Sequence, residues 1–291
     1  MLYRSLIGAI ALAALSASTG SAQIVDFSKY PNLKGHWNRF ITRGLPGQPS
    51  FDQTKAWGLG QGAPLTPEAE AITEASIADQ EKGGLGNTVG HARCSAAGMP
   101  FMMVAFHSLE FVVLPETTYI LIADFDPLRR IFTDGRDWPK EIEPTFQGYS
   151  IGRWRDEAGS GRYDVLEVET RGFKGPRTYD NSGMALHDDN QSVIKERIFK
   201  ERIHLDKSDP NLLHDEITVI DHALTRPWTV DKRYIRDANP LTSWDESICP
   251  EYNAWVFTGQ ENYYLSGDGY LMPTRKGQPP PDLRYFEQPK K

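Results

Sequence analysis

Two side chains on one predicted strand could bind and protonate a small molecule. They are Tyr149 and Arg153 of the stretch G-Y-S-I-G-R-W. Because side chains alternate between the two faces of a strand, both lie on the same face. A phenol can donate a proton, and a guanidinium can hold a carboxylate through two hydrogen bonds. If this face points inward, Tyr149 is a candidate catalytic residue and Arg153 a substrate-binding one. If it points outward, Arg153 pairs with Glu167 or Glu169 of the next strand.

A histidine and a glutamate complete the predicted catalytic set. His187 lies in a polar loop that enters a long strand, where an imidazole could act as a general acid or base. Glu196 and Arg197 are adjacent on that strand, so one of them must face inward, where a buried charge needs a partner. Candidate substrate-binding residues are Arg136, His107, Trp154 and Trp228. The alternative is structural, with the aromatic rings filling the core and Arg136 standing in an Asp-Gly turn.

Several enzyme classes lack their motifs in this sequence. No two of the seven histidines have the spacing of a metal site, and no cysteine belongs to a C-x-x-C pair. There is no glycine-rich phosphate loop, no G-x-S-x-G elbow and no dinucleotide fingerprint. The sequence therefore predicts neither a metal site nor a cofactor.

The N-terminus has the pattern of a signal peptide. Arg4 precedes an apolar run over residues 6–15, and small residues end at Ala22. The run is too short to span a bilayer, and no later segment is apolar enough. We therefore expect residues 1–22 to be removed and the mature chain to be periplasmic or secreted, without an integral membrane segment.

Two cysteines, Cys94 and Cys249, remain in the mature chain. In an oxidising compartment a single pair usually forms a disulfide. We predict that bond here, with two free thiols as the alternative.

Short apolar and β-branched runs dominate the middle of the chain. They are bounded by Gly, Pro, Asn and Asp and predict eight strands with hairpin connections. The strands are predicted at residues 106–114, 119–125, 129–133, 149–155, 163–170, 193–204, 213–222 and 228–236. Residues 23–100 form an irregular arm with one helix, from about Pro67 to Gln80, and residues 238–291 form an extended strap or tail.

The long strand at 193–204 carries charges on both faces, which fits a barrel with a partly polar interior better than a sandwich with a dry core. Eight antiparallel strands in sequence order close most simply into an up-and-down barrel of the lipocalin type, over residues 101–237. A barrel of this size holds one small ligand. The net charge of −7 without a basic block argues against a nucleic-acid partner.

Three motifs together resemble a large family of exported bacterial proteins of unknown function. They are R-I-F-T-D-G-R at 130–136, G-Y-S-I-G-R-W at 148–154 and V-I-K-E-R at 193–197. The resemblance extends over roughly residues 93–255. It includes a cysteine before a G-M-P segment (Cys94) and a second in C-P-E-Y-N (Cys249). The family usually has histidine where this chain has Tyr149. The resemblance implies export and paired cysteines, and no particular activity.

Two functions of different classes remain open. One is a barrel enzyme without a cofactor, a lyase, isomerase or hydratase acting on a small apolar or aromatic molecule. The other is a non-catalytic carrier or envelope-associated binding protein of the same fold. Titratable groups around the interior favour the enzyme, and a purely apolar lining favours the carrier.

Overall fold

A closed barrel of nine β-strands forms the body of the protein in a computed structural model. The structure describes residues 26–39, 63–90, 95–104, 108–123, 128–187, 192–200, 211–239, 244, 255–258, 261–266 and 269–282. The barrel strands are β1 Trp37–Arg39, β2 Leu109–Val113, β3 Thr117–Ile122, β4 Leu128–Phe132, β5 Tyr149–Arg155, β6 Val165–Arg171, β9 Val193–Lys200, β10 Leu212–Ile220 and β11 Trp228–Arg236. A two-stranded hairpin, β7 Arg177–Thr178 and β8 Ala185–Leu186, lies between β6 and β9 in the chain. The prediction of a mainly β protein with a closed barrel is confirmed.

The ninth strand is β1, from the arm that the sequence analysis treats as irregular. It pairs with β11 and β2 and so closes the ring. Its Trp37 is fully buried in the barrel core. A strand of three residues close to Pro31 and Gly35 gives no periodic signal of its own, so the sequence predicts only eight strands.

An up-and-down ring of nine strands cannot be antiparallel throughout, because alternating directions do not close on an odd number. The parallel pair is β4–β5, with Ile131 opposite Ser150 and Phe132 opposite Ile151. Residues 133–148 return the chain so that β5 starts beside the last residues of β4 and runs in the same direction. The predicted eight-stranded, fully antiparallel barrel is therefore wrong in strand number and in this one pairing.

One α-helix, α1 Pro67–Glu81, forms where the sequence predicts it. Thr66 caps its N-terminus by accepting a hydrogen bond from the Ala69 amide, and Pro67 occupies the first turn. Gly83, with a φ of 85°, follows the helix. The Ser76 hydroxyl, on its buried face, donates to the Ser182 carbonyl and so ties α1 to the turn between β7 and β8.

Part of the C-terminal segment forms a small sheet of its own. Strands β12 Trp255–Thr258, β13 Glu261–Leu265 and β14 Leu271–Pro273 pair in sequence order. Arg275 joins this sheet to α1 by ion pairs with Asp79 and Glu261. Among the residues that the structure describes, no helix has both the length and the apolar composition needed to cross a bilayer.

Candidate functional site

The interior of the barrel is apolar over much of its surface and strongly polar in one region. Alternate positions on each strand are buried, as on β10, where Leu213, Asp215, Ile217 and Val219 face the core. The polar residues buried on the barrel strands at such inward positions include Arg129, Thr170, Glu196, Asp215 and Lys232. Burying ionisable groups is costly unless they are paired or neutral, so their partners decide what the interior can do.

Arg129 and Glu196 form an ion pair across the interior. Arg129 belongs to β4 and Glu196 to β9, and the side chains are 1 % and 0 % exposed. The guanidinium donates two hydrogen bonds to the carboxylate and one of 3.1 Å to the Thr170 hydroxyl. Burial lowers the pKa of Arg129, but the charge and hydrogen bonds of Glu196 outweigh this effect and raise it. Arg129 therefore keeps its charge, with the Glu196 carboxylate as its partner.

Asp215 and Lys232 face the same interior without such a partner. They are directly opposite each other on β10 and β11, which places their Cβ atoms about 5 Å apart. Both are buried, and neither the Asp215 carboxylate oxygens nor the Lys232 Nζ atom has a hydrogen-bond partner among the described residues. Most buried polar atoms in proteins are hydrogen-bonded, so this pair is an exception that calls for a reason.

The protonation states of this pair are reversed relative to those in water. Burial and the nearby charge of Glu196 raise the pKa of Asp215 well above its usual range. Burial and the nearby charge of Arg39 lower the pKa of Lys232 to about 7. Near neutral pH the interior thus holds a protonated carboxylic acid beside an amine that is partly neutral and can then accept a proton. These are the states that a general acid and a general base require.

An aromatic ring and a further carboxylate adjoin the lysine. The Lys232 Nζ atom lies 5.3 Å from the ring centroid of Tyr179, whose hydroxyl has no hydrogen-bond partner among the described residues. Burial raises the pKa of Tyr179 well above its usual value. The neighbouring Asp180 accepts two hydrogen bonds from Ser182 through one oxygen. Trp228 packs against Tyr179, with 4.8 Å between ring centroids.

Of the predicted catalytic residues, the structure places only Glu196 in this interior. Arg153 is exposed on the outer face of β5 and Tyr149 is half-buried on the same face, so the prediction that both point inward is wrong. The Tyr149 hydroxyl instead accepts a hydrogen bond of 3.2 Å from Arg136. Glu167 is paired with Arg155 rather than with Arg153.

His187 lies at a separate place, in a groove of about 520 Å³ beside α1. Its Nδ1 atom is 2.8 Å from a carboxylate oxygen of the buried Asp221, and its ring is half-exposed. Burial alone raises the pKa of Asp221, but hydrogen bonds from Ser192, Ala223 and His187 outweigh this and lower it. The expectation that His187 shares one cavity with Glu196 is not met, because His187 lines this groove and Glu196 lies inside the barrel.

Of the remaining predicted residues, some face the barrel interior, one is on the surface, and the others lie outside the described residues. Trp228 and Trp154 both face inward, and the Trp154 indole donates to the Thr118 hydroxyl at 3.3 Å near the ring of Tyr30. Arg136 is on the surface, paired with Asp134. The other predicted positions lie outside the described residues: the signal peptide, His107, Cys94 and Cys249.

Sequence reasoning missed Arg129, Asp215 and Lys232, although the last two give a signal. Asp215 is the one charged residue in the series Leu213, Asp215, Ile217, Val219, and Lys232 lies between Val230 and Tyr234 in the same alternating manner. A single charge on an otherwise apolar strand face marks a group that folding buries.

Comparison with known proteins adds no function to this geometry. No protein-family model matches the sequence, and no curated protein is significantly similar to it. In the described part of the chain, no group of three or more His, Cys, Asp or Glu side chains is arranged to hold a metal ion.

Proposed function

We propose that the barrel interior binds a small molecule and acts on it by proton transfer without a cofactor, as a lyase, isomerase or hydratase does. Lys232 is the general base and Asp215 the general acid. The observation that carries the proposal is that these two buried groups face each other and have no hydrogen-bond partner in the part of the chain that the structure describes. Glu196 stays in the site as the partner of Arg129, while Tyr149 and His187 fall outside it.

The unpaired groups favour an enzyme over the alternative of a carrier. A carrier for apolar molecules needs an apolar lining with a few satisfied polar groups. Keeping an acid and an amine buried and unpaired lowers the stability of the fold, and groups with strongly shifted pKa values concentrate at catalytic sites. Because Tyr179 adjoins Lys232 and Trp228 packs against Tyr179, the substrate that fits best has an aromatic or planar apolar part beside the carbon that loses a proton.

We also propose, from the sequence patterns alone, that the chain is exported and cleaved after Ala22, and that Cys94 and Cys249 form a disulfide. The family resemblance supports both.

Ring opening of a nitrobenzisoxazole tests the base directly. The base removes the ring C–H proton, the N–O bond breaks, and a coloured cyanophenolate forms, so the reaction needs only a desolvated base and room for a flat aromatic molecule. We expect a rate above that of buffer, which rises with pH through about 7 as Lys232 loses its proton. Lys232→Met should lower this rate by about a hundredfold or more, a usual loss for a general base.

Lys195 provides the matched control. It lies on the outer face of β9, and its side chain is 56 % exposed. Lys195→Met should therefore leave the rate unchanged. A wild-type rate equal to that of buffer, or a rate that Lys232→Met does not alter, contradicts the proposal.

A further inference from the structure

We propose that Lys232 forms a Schiff base with the carbonyl group of an aldehyde or ketone substrate, and that Asp215 supplies the proton that releases water. This rests on the proposed function and narrows its substrate class to small carbonyl compounds. A lysine that serves as a base needs only a proton to remove, whereas a lysine that condenses with a carbonyl must also bring its nitrogen to a carbon atom.

The Lys232 amine has two features that favour such an attack, its burial and a neighbouring cation. Nucleophilic lysines in enzymes are activated by desolvation or by a neighbouring cation, because both favour the neutral amine. Lys232 has both, since it is buried in the interior and Arg39 of β1 is the nearby cation. The described residues give Nζ neither a hydrogen bond nor an ion pair, so no contact has to be broken first.

The charged and titratable groups that face Lys232 come from three elements. Arg39 lies on β1, Tyr179 and Asp180 lie at the end of β7, and Asp215 lies on β10. Arg39 favours the neutral amine, and the two carboxyl groups favour the protonated one. Burial has the largest effect of all, and the balance leaves an amine that is partly neutral at pH 7.

The condensation balances with the groups that the interior holds. The neutral Lys232 amine attacks the carbonyl carbon, a C–N bond forms, and a nitrogen proton passes to the oxygen to give a carbinolamine. Protonated Asp215 then donates its proton to that hydroxyl group, the C–O bond breaks, and water leaves. The products are a positively charged iminium on Lys232 and a negatively charged Asp215 opposite it. The interior gains no net charge, which matters because an isolated buried charge is costly.

Iminium formation explains why a neutral acid and a neutral amine are kept together. The iminium is an electron sink that lowers the pKa of the adjacent C–H bonds, and this favours the proton transfers of a lyase or an isomerase. After donating its proton, Asp215 is a carboxylate and can accept one of those protons in the next step.

Reductive trapping tests the inference on the folded mature chain. Benzaldehyde is incubated with the protein at pH 7, and cyanoborohydride then reduces the iminium to a secondary amine, which peptide mass spectrometry locates. At pH 7 the neutral fraction of Lys232 exceeds that of an ordinary lysine by roughly a thousandfold. We expect Lys232 to be labelled at least about tenfold faster than the exposed Lys195.

Two variants extend this test. Lys232→Met should remove the fast-labelled site, and Lys195→Met should not change it. Asp215→Asn keeps the size of the side chain, but its amide has no acidic proton to transfer, so it should slow trapping at Lys232 by about tenfold or more. If Asp215→Asn leaves the trapping rate unchanged, the proton donor is misassigned and the inference as stated fails.

The outcome also separates this inference from the proposed function. If the nitrobenzisoxazole is opened by a Lys232-dependent reaction but benzaldehyde labels only exposed lysines, Lys232 is a base and not a nucleophile, and only the inference fails. If neither probe reacts at Lys232, the interior is not an acid–base site. This result contradicts both the proposed function and the Schiff-base inference.

Discussion

Replacing Lys232 by methionine should stabilise the protein by an amount that depends on pH. The lysine is buried, and burial together with Arg39 lowers its pKa from 10.5 to about 7. Each unit of such a difference corresponds to about 1.4 kcal/mol, so retaining the amine in the folded state costs about 5 kcal/mol at or below pH 7. Methionine has a similar length and no charge, and its thioether suits an apolar interior.

The direction in which stability changes with pH follows from the number of protons bound by the folded and unfolded states. Between pH 7 and 10.5 the unfolded chain holds a proton at this lysine that the folded protein does not, so the stability of the wild type rises with pH. The advantage of Lys232→Met should therefore be about 5 kcal/mol at pH 6, about 2 kcal/mol at pH 9, and small above pH 10.5.

Urea unfolding at a series of pH values measures this difference. Lys195→Met is the matched control, and as an exposed substitution it should stay within about 0.5 kcal/mol of the wild type at every pH. A gain of equal size at pH 6 and pH 9, or a loss of stability at pH 6, would show that the Lys232 amine is hydrated or paired in the folded protein.

Three further predictions concern other parts of the chain. Glu196→Gln should lower the free energy of unfolding by about 3–5 kcal/mol in denaturant titrations, because it leaves Arg129 buried without its counter-charge; an effect below about 1 kcal/mol would mean that water reaches the pair. Thr66→Ala removes the N-terminal cap of α1 and should cost about 1 kcal/mol in the same assay. In the mature native protein, Cys94 and Cys249 should not react with a thiol reagent until a reductant is added, and immediate reaction of two thiols would exclude the disulfide.

Local sequence patterns predict most of the barrel because its strands are short and sharply bounded. All eight predicted strands recur within a few residues of their predicted limits, and α1 begins at the predicted proline. What the patterns do not contain is the pairing of distant segments. The contact of β1 with β11 joins residues almost 200 positions apart. The residue types of Trp37–Arg39 do not predict this pairing. The parallel β4–β5 pair likewise depends on the closure of the whole ring.

Local sequence patterns also do not show which side chains of the candidate site point into the barrel. Alternation groups Tyr149 with Arg153 but leaves open which face of β5 is inside, and a shift by one residue exchanges the two faces. Gly152 indicates which face of β5 lies inside the barrel. A Cβ atom at this position would lie 2.7 Å from Ile131 Cγ2, so the motif has glycine where the strand packs most tightly against the interior. The charges on both faces of β9 predict that either Glu196 or Arg197 is buried, and in the structure the buried residue is Glu196.

Two arrangements lower the free-energy cost of burying ionisable side chains in the interior. Arg129 keeps its charge because it is paired in close contact with Glu196. Asp215 and Lys232 lack that contact. Burial raises the pKa of Asp215 and lowers the pKa of Lys232 to about 7, and both shifts favour the neutral form of the group. The ion pair also affects the unpaired acid, because Glu196 lies on the neighbouring strand, diagonally across from Asp215. After burial, the charge of Glu196 has the largest effect on the pKa of Asp215 and raises it. In the proposed reaction Glu196 therefore has an indirect role: from the neighbouring strand it raises the pKa of Asp215 and so favours the protonated acid.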